Sequence, residues 1–144
     1  MYSGFLQVHD ILRWLLLFVL VITLVKYIAG WMGKHPWKKV DNFLGIAFTS
    51  LMDLQLLIGL GLYFFLSPLT EIARADMGAA MKNADLRFYA VEHFAIMLAA
   101  VVVVHIGRAK SKKAEYSAGK FKIASIYFLI ALALILGGIP WSRM

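Results

Sequence analysis

Four long apolar stretches, residues 5–31, 43–66, 88–107 and 123–139, leave this chain few ways to fold. At ~1.5 Å of rise per residue each can cross a ~30 Å hydrocarbon core as a helix, the last only just. Within lipid a backbone must satisfy its own hydrogen bonds, so helices are expected and open strands are not. A hydrophobic content of 62% stands well above the soluble norm of roughly 45–50%. The expected fold is all-α: an integral membrane four-helix up-down-up-down bundle, one transmembrane domain over residues 1–144.

Charge then orients it. The first connection carries Lys34, Lys38 and Lys39 against Asp41, and the third carries Arg108, Lys110, Lys112, Lys113, Lys120 and Lys122 against Glu115. The second connection is balanced, with Arg74, Lys82 and Arg87 facing Glu71, Asp76 and Asp85. Positive loops stay in the cytoplasm, so both termini are expected on the periplasmic side of a bacterial inner membrane. The net charge of +7 is therefore a topology signal; it implies contact with anionic membrane lipid and no nucleic-acid partner. No basic residue precedes the first apolar run, so a retained helix is expected there rather than a cleaved signal.

Helix ends are punctuated. Gly30, Gly33 and Pro36 close the first helix, Asp41 and Asn42 can cap the second, and Ser67-Pro68 ends it. The third is expected to stop at Gly107 and the fourth at Gly137-Gly138. Between Leu69 and Asp85, apolar residues near helical spacing suggest a short amphipathic helix lying on the outer face.

The polar residues inside the apolar stretches carry the functional information. His9 and His93 each sit ~8–10 Å inside the end of their helix, by the rise per residue, and those two ends share one face of the membrane. Two imidazoles at one depth on rigid helices are what axial haem ligation needs. Gly45 and Gly59 are fourteen residues apart on the second helix and share a face. Gly59 lies near the histidine depth, where a missing side chain suits a flat macrocycle; ordinary close helix packing is the alternative. Met97, one turn from His93, suits packing of the macrocycle edge better than ligation. Arg13 is expected to pair with Asp53, with Gln55 nearby, and so to pin the first two helices. The alternative for Arg13 is a haem propionate, for which Arg87 at the outer end is better placed. Glu92 points ~100° away from His93, toward no partner readable here. His35 and His105 read as interfacial histidines rather than a second haem site, because His35 sits in a Gly/Pro loop and His105 is rotated ~120° from His93.

The segment His9-Asp10-Ile11-Leu12-Arg13-Trp14 occurs together with Glu92-His93-Phe94-Ala95-Ile96-Met97-Leu98-Ala99-Ala100 and the basic run after Ile106-Gly107. In this the chain resembles a family of small four-helix bacterial membrane proteins labelled cytochrome B. The resemblance implies a b haem and carries over to His9, Arg13, Glu92 and His93; Asp10 departs from the small polar residue expected there.

With no Cys in the chain, iron–sulfur clusters, Cys-ligated zinc and covalent c-type haem are excluded. The expected function is one-electron transfer through a non-covalent bis-His haem b near the outer face, with a quinol or a redox partner protein. Six-coordinate iron leaves no open position, so an electron-transfer protein or subunit of a larger membrane complex is expected rather than a stand-alone enzyme. The alternatives are a transition-metal (copper) binding or transport protein using His9, His93, Met97 and Glu92, and a cofactor-free structural subunit.

Overall fold

The computed structural model describes residues 1–141. It is all-helical, with no strand among the described residues. The helices are α1 (Tyr2–Met32), α2 (Lys39–Gly61), α3 (Pro68–Ala75), α4 (Met77–Ala80), α5 (Ala84–Arg87), α6 (His93–Lys113) and α7 (Ser117–Gly138). A π turn, Leu62–Leu66, extends α2, and another, Phe88–Glu92, joins α5 to α6. Four continuous helical stretches are thus long and apolar enough to cross a membrane: Tyr2–Met32, Lys39–Leu66, Ala84–Lys113 and Ser117–Gly138.

Each begins before the limit expected from hydrophobicity, and the first and third also end later, because helix formation continues through polar flanks that hydropathy discards. The clearest case is Gly107, expected as a terminus. It is buried inside α6, which continues two turns further. A mid-helix glycine costs only about 1 kcal/mol, and here it admits Tyr127 of α7 against the backbone.

Buried residues recur at helical spacing: Leu16, Leu20, Leu24 and Tyr27 on α1, and Phe121, Ala124, Phe128, Ala131 and Ile135 on α7. Met97, Ala100 and Val104 of α6 join the same core, on the face that also carries His93. Helix α1 packs on α2 and α7, and α6 on α7 and α2.

One end of the molecule is knitted by charge. Asp41 is fully buried; its Oδ1 accepts from Lys26 Nζ at 2.6 Å and its Oδ2 from the Lys38 N–H at 2.9 Å. The Tyr27 hydroxyl donates to the Asp41 carbonyl, and Arg108 donates to Asn42 Oδ1. The Trp37 N–H donates to Ser117 Oγ, which ties the first connection to the third.

At the other end, the single amphipathic helix expected between 69 and 85 is three short helices. Each begins at its own side-chain cap: Ser67, Asp76 and Asn83. Ala73 and Ala80 pack inward with Ala90, beneath Tyr63 and Leu86, while Ile72 and Met81 face outward.

Candidate functional site

His9 projects from the second turn of α1, and His93 is the first residue of α6. Their rings face each other at 6.3 Å between centroids, with 64° between their planes. Two residues 84 positions apart in the chain therefore meet, as matched depth on two helices predicts.

His93 is held in one tautomer. Its Nδ1 lies 2.7 Å from the Gly138 carbonyl oxygen at the end of α7. A carbonyl only accepts, so Nδ1 carries the proton and Nε2 keeps its lone pair for a ligand. This is the orienting contact that metal-ligating histidines ordinarily make with the ring nitrogen away from the metal. His9 has neither ring nitrogen in a hydrogen bond among the described residues. Its place is set through the backbone instead: Gln55 Nε2 donates to the His9 carbonyl at 2.8 Å.

The two rings border a cavity of about 370 Å³, also lined by Gly59, Tyr63, Thr70 and Tyr89. That volume lies within the ~300–1,000 Å³ of small-molecule and cofactor pockets. Tyr2 and Pro140 line it as well, so the start of α1 and the segment after α7 approach the same site. A second, mostly apolar chamber of about 70 Å³ continues past the histidines, between Met52, Leu56, Met97 and Val101. Gly59 faces His9 directly: a Cβ there would lie 3.5 Å from His9 Nε2. Gly45, on the same side of α2, meets Tyr27 and Arg108 at the opposite end. The two glycines do share the face that α1 covers.

Both π turns flank this cavity, contributing Leu62 and Tyr63 from one and Tyr89 from the other. Such turns are rare and often mark functional positions, because the extra residue re-aims the side chains that follow. Hydrophobic periodicity offered no sign of them.

The expected Arg13–Asp53 pair does not form. Gln55 faces α1, and Asp53, two residues earlier and so ~200° around the helix, faces α6. There its Oδ1 meets His105 Nε2 at 2.6 Å. The depth assigned to Asp53 was compatible with Arg13; its rotation was not. Arg13 instead lies 3.6 Å from Asp10, one turn back on α1, and lines both chambers beside His9. Its Nε is buried with no acceptor among the described residues, and Gln55 Oε1 is likewise without a donor.

Arg87, the expected outer cation, is turned from the cavity. Its Nε donates to Glu92 Oε1 at 2.6 Å and its Nη1 to the Met81 carbonyl. Glu92 thereby acquires the partner that sequence did not reveal. Met97 is where expected, one turn from His93 and beside both rings in the smaller chamber. His35 folds back over Gly33 at the end of α1. Among the described residues, no group of three or more His, Cys, Asp or Glu side chains gathers as a metal site. Comparison of the chain with protein-family models, curated proteins and solved structures finds no match.

Proposed function

We propose that the protein is a membrane-bound b-type cytochrome in which His9 and His93 hold a non-covalent haem. The observation that carries this reading is the spacing of the two rings. The rings stand 6.3 Å apart between centroids, a separation at which one ring nitrogen of each could hold a single iron. His93 presents a free Nε2, and Gly59 keeps side-chain bulk away from His9. Among the described residues no third His, Cys, Asp or Glu gathers with the two histidines, a sparse set for a bare ion, whereas a porphyrin brings four nitrogens of its own.

When bound, haem supplies a one-electron ferric–ferrous couple. His9 and His93 would hold the group, the core below His93 would exclude bulk water, and the Tyr63–Tyr89 side would leave a route for electrons. A quinol or a redox partner protein approaching there is the proposed counterpart. The optical spectrum of the protein purified in mild detergent and supplied with haem tests this reading. Sharp reduced bands of six-coordinate, low-spin iron are expected; a chain that retains no haem would refute it.

Arg13 is the proposed partner of a haem propionate, because its buried Nε, beside His9, has no acceptor among the described residues. Hydrogen bonds to charged groups contribute ~1.5–3 kcal/mol, so Arg13→Leu should weaken haem retention at least about tenfold. Asp53→Leu should leave it unchanged. Equal haem affinity in wild type and Arg13→Leu, read by titration, would remove Arg13 from the site.

We further propose that the four apolar helices span a bacterial inner membrane as an up-down-up-down bundle with both termini periplasmic. Supporting this, the two lysine-bearing connections meet through Trp37 and Ser117, while Tyr2 and Pro140 border one cavity at the other end. A chain without native Cys makes the test direct. A membrane-impermeant thiol reagent added outside should label Gly78→Cys and spare Glu115→Cys, both positions being exposed. The reverse pattern would invert the orientation.

A further inference from the structure

Asp53 lies fourteen residues after Lys39 and thirteen before Leu66, near the middle of its apolar stretch. Yet its side chain is 50% exposed, and that of its partner His105 is 47% exposed. The pair sits on the outer surface of the molecule, where α2 and α6 adjoin, framed by exposed Leu54, Leu57, Val102 and Ile106. A charged side chain at mid-depth is costly even on the mildest scales, and such groups almost always face protein or a water-filled cavity. Only Oδ1 and Nε2 are engaged. Asp53 Oδ2 and His105 Nδ1 make no hydrogen bond among the described residues.

We propose that this face is covered by a second copy of the chain, in a two-fold dimer whose axis runs along the membrane normal. The reasoning is geometric. Because Asp53 and His105 touch, they lie side by side at one depth, one on α2 and one on α6. A two-fold rotation about an axis parallel to the helices sets α2 of each copy against α6 of the other at equal depth. Each Asp53 carboxylate then meets the other copy's His105, and each imidazolium donates one N–H to the Asp53 of its own copy and one to the Asp53 of the other. The surface is self-complementary in charge, and the four groups close a ring that leaves none facing hydrocarbon. A different partner would have to bring its own matched acid and base at this depth. The proposal rests on the membrane-spanning reading and is independent of the haem.

The experiment measures energy transfer between donor- and acceptor-labelled copies, attached at Gly78→Cys, in phosphatidylcholine–phosphatidylglycerol vesicles over a range of protein-to-lipid ratios. The wild-type sequence at 53 and 105 should dimerise. Two interhelical hydrogen bonds cross this interface, and losing both should move the midpoint for Asp53→Leu or His105→Leu roughly tenfold or more toward higher protein. The exchanged variant carrying both Asp53→His and His105→Asp preserves every pairing and should return to within about threefold of the original. A monomer at all ratios would overturn the proposal and leave the face to lipid or another chain. A dimer indifferent to both single substitutions would overturn it equally. Since a single substitution also loosens α2 from α6 within one copy, a second measurement keeps the native pair. The chain carrying Leu54→Cys and Val102→Cys, oxidised in the bilayer, should form disulfide-linked dimers; its failure to do so would count against the interface.

Discussion

His9→Ala and His93→Ala are each expected to abolish the six-coordinate low-spin spectrum of the haem-loaded protein. His35→Ala and His105→Ala should leave that spectrum intact. Removing a partner that merely orients a metal-ligating histidine costs ~10–100-fold in metal affinity; removing the ligand itself should cost more than 100-fold. The two variants should also differ from each other. His93 is fastened by its Nδ1 to Gly138 on α7, so His93→Ala also frees that carbonyl and should lower the thermal stability of the haem-free protein. His9 makes no such side-chain bond, and His9→Ala should leave the haem-free protein about as stable as the wild type. Normal haem content in either variant would defeat the ligation scheme.

Gly107→Ala should be the most damaging small substitution in the helical core. A Cβ at Gly107 would collide with Tyr127 Cβ and lie 2.7 Å from its Cγ. The Tyr127 Cβ cannot swing away by a rotamer change, because it and the added Cβ are both fixed to helix backbone. The α6–α7 pair must therefore separate locally, and overpacking of this kind typically costs ~1–3 kcal/mol. Gly137→Ala is the control. A Cβ there meets nothing within 4 Å, and alanine's better helix propensity should make that change neutral or stabilising by up to about 1 kcal/mol. Thermal unfolding in detergent separates the two. Equal melting temperatures would mean that α6 and α7 are not packed through Gly107.

The residues whose meeting follows from the sequence share one property: position along a helix sets their depth and their face. His9, His93, Gly59 and Met97 were selected by depth and by helical face, and the structure gathers all four around the same two chambers. The ones it read poorly depend on how one helix is rotated against another. Asp53 had a depth suited to Arg13, yet turning α2 so that Gln55 faces α1 sends Asp53 to α6. Arg87 was placed by its nearness to an end, but Glu92, one π turn further on, captures its guanidinium.

By itself the sequence determined four long apolar helices, the punctuation near their ends, and a matched depth for two histidines. Each of these follows from local periodicity and rise per residue, which need no knowledge of neighbours. Only the tertiary structure decided that the two rings stand 6.3 Å apart, that Gly138 fixes the tautomer of His93, and that the buried Arg13 Nε beside them has no partner among the described residues. It also decided that Gly107 is a packing site and that Asp53 and His105 form a half-exposed pair on the outer surface. Those outcomes depend on the azimuth of every helix about its own axis. One residue of rotation turns a side chain by ~100°, and the azimuth is selected by the packing of all the helices together.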